Sequence, residues 1–249
     1  MRKVQIMSNG LRLAGIVNEA DVARSPLVIM LHGNTGWKEE EHLNTLAAEL
    51  ATSGIFTLRF DAPGLGESDG TWSDDYRVTN YINAVKDAHD WAVDNLNIDR
   101  GRVGVWSHSM GGLVAAQAAV KWPDMFKALC GSQPSTGVSA TSSSWKKEGG
   151  LWRDTEKFGK VWLPKDFFID REQYDTAEAA QQLSIPQLYI AGTKDELAPL
   201  SAVELIYKKA GEPKTFMEFP TDHFYKNDPK MLKEINKATV DFYVNILTK

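Results

Sequence analysis

Cysteine is all but missing: Cys130 is the only one in 249 residues. No internal disulfide can form, which fits a reducing compartment, and the short apolar run 126–130 around it reads as core rather than as a reactive thiol. Long apolar stretches are lacking too. The opening Met1-Arg2-Lys3-Val4-Gln5-Ile6 has two basic residues without the apolar segment of a secretion signal, and no run approaches the length that spans a bilayer. An unexported, cytoplasmic chain is expected. Clusters of lysine or arginine are absent, and the 33 acidic residues outnumber the 28 basic ones for a net charge of −5, which disfavours nucleic acid as a partner. Histidine is scarce, with five residues, and no two histidines or carboxylates fall at a ligand spacing with a recognisable motif around them. No metal is expected. Nor does a phosphate-cradling loop open a helix, since Gly64-Leu65-Gly66 runs into a polar stretch, so no cofactor is expected either.

What remains is an ordinary globular mixture, 43% hydrophobic and 24% charged, long enough for one α/β domain over residues 1–249. Alternating and β-branched segments at 4–7, 11–17, 27–31, 55–60, 103–106, 126–130, 187–191 and 215–219 read as strands, the first two joined by an Asn9-Gly10 turn into a hairpin. Helical patterns fill 40–52, 80–95, 112–121, 202–210 and 229–247; Tyr81, Val85, Ala88, Ala92 and Leu96 mark one apolar face. The alternation predicts a doubly wound, mostly parallel eight-stranded sheet with an N-terminal antiparallel hairpin. One stretch, 132–182, breaks the rhythm. It is too long for a plain connection and reads as a lid or cap insertion, with a serine-rich flexible loop at 139–144. Its aromatic residues either form a satellite core or line a substrate pocket, for which Trp145, Trp152, Trp162 and Phe167 are the candidates.

The chemistry is carried by Val105-Trp106-Ser107-His108-Ser109-Met110-Gly111-Gly112, where an apolar strand runs straight into an alanine-rich helix. Such a join pushes its central serine out above the sheet and demands small residues two before and two after, here Ser107 and Gly111. A literal G-x-S-x-G search finds Gly66-Glu67-Ser68-Asp69-Gly70 instead. Ser68, between two acidic neighbours that would oppose an alkoxide and without an apolar strand leading into it, is a decoy. A serine hydroxyl needs a base, and the base needs an orienting acid. His223, on the loop after the last strand, is the expected base; Asp195, after the penultimate strand, is the expected acid, with Glu196 and Asp222 as competitors. The backbone N–H groups of Met110 and Asn34 are the expected oxyanion donors.

Together, His32-Gly33-Asn34-Thr35-Gly36, the string from Arg59 to Gly70, Ser107 to Gly112, Asp195 and His223-Phe224 resemble the α/β-hydrolase superfamily over nearly the whole chain. Within it the chain is most similar to cinnamoyl or feruloyl esterases and to monoacylglycerol lipase-like and serine aminopeptidase-like members. It departs from them at Ser107, usually glycine, and at Asn34, often apolar. The resemblance implies a serine carboxylic-ester hydrolase, a carboxylesterase working through an acyl-enzyme on a small-molecule ester with an apolar or aromatic acyl group. A thioesterase, a monoacylglycerol lipase or an amidase or peptidase of the same fold is the enzymatic alternative, and an inert ligand-binding scaffold the non-enzymatic one. The oligomeric state is open, a homodimer included.

Overall fold

A computed structural model describes residues 1–21, 24–137 and 144–249, without the side chains of Ser144 and Trp145. The serine-rich loop therefore lies mostly, and the Trp145 side chain wholly, outside the described residues. The chain runs β1 (Arg2–Ser8), β2 (Leu11–Asn18), β3 (Ser25–Leu31), α1 (Glu41–Thr52), β4 (Phe56–Phe60), α2 (Val78–Asn95), β5 (Ile98–His108), α3 (Met110–Lys121) and β6 (Ala128–Ser132). After an excursion it resumes with β9 (Gln187–Gly192), α7 (Leu200–Lys209), β10 (Lys214–Phe219) and α8 (Pro229–Leu247). The excursion holds α4 (Ser144–Glu148), β7 (Gly150–Thr155), β8 (Gly159–Pro164), α5 (Lys165–Arg171) and α6 (Thr176–Gln181).

One eight-stranded sheet is ordered β1-β2-β4-β3-β5-β6-β9-β10, antiparallel at β1-β2 and β2-β4 and parallel from β4 onwards. Asn9 and Gly10, at φ 46° and 82°, make the tight β1-β2 turn that an Asn-Gly pair is suited to. β3 is buried at every position because both sheet faces are covered. Val28 and Met30 point into the layer with α1 and α8, whereas Leu27, Ile29 and Leu31 point into the layer with α2 and α3. Helix α8 starts where it does because Pro229 occupies its first turn and the Asp228 carboxylate accepts from the N–H groups of Lys230 and Met231.

All eight expected strands and all five expected helices are present, and among the described residues no helix is long and apolar enough to cross a membrane. The excursion contains what the sequence pattern did not resolve. β7 and β8 form their own antiparallel hairpin, with Trp152 opposite Trp162. Its tip reaches the loops after β3 and β4: Phe158 packs on Trp37 and Trp72 at 6.2 and 5.5 Å, and Lys157 lies over the Trp37 ring.

Candidate active site

Everything of chemical interest gathers at the C-terminal ends of the parallel strands, where side chains on successive loops meet without covering the backbone. The turn between β5 and α3 is the tightest of these. Ser109 sits there at φ 55° and ψ −121°, a left-handed conformation that a non-glycine residue holds only when its surroundings impose it, at a cost of about 1–3 kcal/mol. The imposing groups are visible. The Ser109 N–H donates to Ser132 O at 3.1 Å, and Ser109 O accepts from the N–H groups of Gly112 and Ser135, both at 2.9 Å. Glycine is needed nearby for space: a Cβ on Gly111 would come within 2.7 Å of the Leu31 carbonyl oxygen, and one on Gly33 within 3.0 Å of the Ser109 Cβ. Ser107 is fully buried and its hydroxyl donates to Cys130 O at 3.2 Å, so the position tolerates serine because the added oxygen has an acceptor.

The turn thrusts Ser109 Oγ to 2.9 Å from Nε2 of His223, whose Nδ1 lies 2.7 Å from Asp195 Oδ2. An ionised carboxylate only accepts, so Nδ1 carries the ring proton and Nε2 is left to accept from the hydroxyl. The other Asp195 oxygen accepts from the N–H groups of Leu197 and Ala198, both at 2.8 Å. Asp195 and His223 are 5% and 7% exposed, dry enough for these contacts to hold their geometry. Of the competing acids, Asp222 receives the N–H of Phe224 and Glu196 stands exposed.

Asn34 borders the same cavity as Ser109, and Met110 follows Ser109 directly in the chain. Met110 is the first residue of α3, so its N–H has no acceptor within the helix. The loop carrying Asn34 is pinned from below. His32 donates from Nδ1 to Gly33 O at 2.9 Å while its Nε2 accepts from the Ala62 N–H at 3.1 Å, and Tyr76 donates to Asn34 Oδ1 at 2.9 Å and accepts from the Thr35 N–H at 3.1 Å. Burial lowers the basicity of His32 and raises the Tyr76 hydroxyl above its usual range, so both stay neutral.

Beside Ser109 lies a cavity of about 130 Å³, bounded by 33–37, Glu40 and His42 on one side, 153–156 of the β7-β8 hairpin above, and Leu197 with 223–226 on the other. Lys226 ties these walls together, 2.9 Å from Glu40 and 2.5 Å from Glu156. Behind His223 stands a file of rings, His108 at 4.8 Å and then His42 at a further 4.7 Å. Burial holds both well below the usual histidine range. Neither ring nitrogen of His42 has a hydrogen-bond partner among the described residues.

Three of the four expected pocket aromatics, Trp152, Trp162 and Phe167, are elsewhere, and that expectation is corrected. Trp152 is 55% exposed and packs on Trp162, while Phe167 is fully buried, stacked on Tyr76 beneath the Asn34 loop. None of the three borders the cavity, because the strand alternation of β7 turns Trp152 away when it turns Arg153 inwards. Trp37, Phe224, Leu197, Arg153, Glu40 and Lys226 do border it, and sequence reasoning missed all six. The adjacency of Phe224 to His223 was the one available signal. Among the described residues no three His, Cys, Asp or Glu side chains come together in a way that could hold a metal ion.

Ser68 has another occupation. Its hydroxyl donates to Asp61 O at 2.7 Å and accepts from the Ala14 N–H at 3.0 Å, stitching β2 to the loop after β4. The buried Lys38, from the loop between β3 and α1, bonds two carboxylates of that loop, Asp61 at 2.7 Å and Glu67 at 2.5 Å.

Residues 26–177 match the model of the alpha/beta hydrolase fold family, more than half of the chain. The chain is an α/β hydrolase. An uncharacterized protein of Mycobacterium tuberculosis is 26% identical to this α/β hydrolase over 227 residues, 90% of the chain and 71% of the relative. The alpha/beta hydrolase domain-containing protein WAV2 of Arabidopsis thaliana is 27% identical over 230 residues, 86% of the chain and 68% of the relative. Among solved structures, Est1E of Butyrivibrio proteoclasticus with ferulic acid bound superposes with a TM-score of 0.84 at 23% identity, covering 99% of this chain and 100% of that one. That likeness speaks for the fold.

Proposed function

We propose that this α/β hydrolase is a serine carboxylic-ester hydrolase in which Ser109 is the nucleophile, His223 the general base and Asp195 the residue that orients it. The observation that carries the reading is the unbroken hydrogen-bonded run from Ser109 Oγ through both ring nitrogens of His223 to Asp195, with Ser109 in a conformation only its surroundings maintain. Ser109 Oγ attacks the ester carbonyl as its proton passes to His223 Nε2, and the oxyanion is received by the N–H groups of Asn34 and Met110. The imidazolium gives that proton to the departing alcohol. Water then attacks the acyl-enzyme by the same route, returning the acid and the free serine.

The segment 132–182 acts as a lid within the single domain 1–249. The reading draws support from the hairpin tip, which forms one wall of the cavity and is held by Lys226 and Trp37. A cavity of about 130 Å³ suits a short ester, with Trp37, Leu197 and Phe224 as its apolar surfaces. The one buried cysteine, its thiol pushed up to about 12 by burial, fits a cytoplasmic setting.

A fluorophosphonate probe tests the mechanism. Stoichiometric labelling of Ser109, absent in Ser109→Ala, is expected; folded protein that takes no label would overturn the reading and favour an inert ligand-binding scaffold. Hydrolysis rates across acyl esters of increasing length, with a cinnamate ester alongside, then measure the acyl preference.

A further inference from the structure

Charges inside or against the cores of folded proteins are almost always paired, because removing an ion from water costs several kcal/mol that only an opposite charge or good hydrogen bonds repay. Two arginines, one on the wall of the cavity that holds Ser109 and one bonded to Ser135, break this habit. Arg153, half-buried on β7, borders the cavity, and its side chain makes no hydrogen bond or ion pair with any described residue. Arg171, at the C-terminus of α5, donates from Nη2 to the Ser135 hydroxyl at 2.6 Å; its Nε is shut off from solvent and meets no acceptor among the described residues. Ser135 is itself bonded through its N–H to Ser109 O at 2.9 Å, so the second guanidinium stands two hydrogen bonds from the nucleophile's backbone.

The carboxylates of the surrounding elements are mostly spoken for. Glu40 and Glu156 share Lys226, Glu172 pairs with Lys146 at 3.2 Å, and Asp170, next to Arg171 in the chain, accepts from the N–H and hydroxyl of Thr79. Asp154, the neighbour of Arg153, is exposed and lies opposite Lys160 in the hairpin register. The stretch 138–143 contains no acidic residue that could serve either arginine. Burial lowers the basicity of Arg171, and the positive charge of Arg153 adds a smaller lowering against the opposite influence of Tyr76. A planar, doubly donating cation of this kind matches carboxylate or phosphate oxygens.

We propose that Arg153 and Arg171 form an anion subsite of the active centre, so that the ester hydrolysed carries a second, negatively charged oxyacid group, a carboxylate or a phosphate, besides the bond that is cleaved. The inference rests on the esterase reading above. It narrows the substrate class from short esters in general to short esters bearing a fixed negative charge, which the anion's charge-assisted bonds would orient over Ser109.

The test compares charged and neutral substrates of matched size. One arm places the charge on the acyl side, monomethyl glutarate against methyl valerate; the other places it on the alcohol side, an acetylated glycerol phosphate against an acetylated glycerol. The expected result is a ratio of kcat/KM, charged over neutral, of about tenfold or more in one arm, which identifies the side, falling about tenfold in Arg153→Gln and shrinking with added salt. Arg171→Lys keeps the positive charge while losing the fork, and should lower the ratio to a smaller extent; its melting temperature is measured alongside to verify that it is folded. A ratio at or below one in both arms, or one that Arg153→Gln and a folded Arg171→Lys leave unchanged, overturns the subsite. Fluorophosphonate labelling of Ser109 separates the two failures: labelling that persists while the ratio stays at or below one sinks the anion subsite alone, whereas absent labelling sinks the hydrolase chemistry beneath it.

Discussion

Two loops of this protein each hold a serine among glycines, and only one has the geometry of a reactive group. Gly66-Glu67-Ser68-Asp69-Gly70 matches the literal nucleophile pattern, whereas Ser107-His108-Ser109-Met110-Gly111 misses it by one residue. In the first, the hydroxyl is spent on Asp61 O and the Ala14 N–H, and the neighbouring carboxylates are spent on Lys38 and Arg12. In the second, the backbone is strained, the preceding strand is wholly buried at its C-terminal end, and the hydroxyl faces an imidazole already committed to a carboxylate. A motif written in letters records the small side chains that a crowded turn needs. The turn itself records why they are needed, and Ser107 meets that need as glycine would.

Exchanging the two serines for alanine should separate the loops most widely. Ser109→Ala is expected to lower kcat for an activated ester by on the order of 10⁴–10⁶ with an unchanged melting temperature; activity within tenfold of the parent would break the contrast. Asp195→Asn should come next, a loss of about 10⁴ in kcat, because the amide can present N–H to His223 Nδ1 and so favours the wrong tautomer. Burst kinetics with the same ester would show whether acylation is the step that slows.

Acid should also tell the regions apart. Around Ser109 the buried His32, His42 and His108 are all held below the ordinary histidine value, so the unfolded chain takes up protons that the native state refuses. Their contribution is intact above pH 6.5 and is lost below it, at about 1.4 kcal/mol per pH unit for each ring until its native value is reached. The Ser68 loop has the opposite kind of group: Lys38 holds Glu67 below the usual carboxylate range, so its contribution persists down to about pH 4.5 and is lost only under stronger acid. A melting curve that falls between pH 6.5 and 5, and falls less in His42→Phe, is the expected outcome; an unchanged slope in that variant would assign the loss elsewhere. The smallest effect belongs to Ser68→Ala, which should cost about 1–3 kcal/mol in urea denaturation by leaving the Ala14 N–H without its acceptor, with kcat per folded molecule unaltered.

Periodicity and turn chemistry made the eight strands and five main helices legible, because β3, β4 and β9 are buried on both sides and α2 and α8 on one. The residues of the Ser109 centre could be picked out for a related reason: each follows directly on a strand of the parallel sheet, so position and chemistry coincide. The β7-β8 hairpin escaped because both strands are only partly buried and rich in charge, which blurs the alternation. The equal spacing of Trp152 and Trp162 about Lys157, with Gly159 at φ 67° closing the turn, was the trace it left. Arg153, Arg171, Tyr76 and Lys226 left none. What makes them matter is convergence across the fold, and no local window contains it.

Asp195 grips its own loop. One oxygen faces His223 and the other gathers the N–H groups two and three positions ahead, so the carboxylate cannot swing without unmaking the turn that carries it. Lengthening the side chain by one methylene, or the loop by one residue, would move both attachments together. In this protein the direction in which the imidazole points is therefore a property of a turn nearly thirty residues upstream, and redesigning that turn would amount to re-aiming the ring.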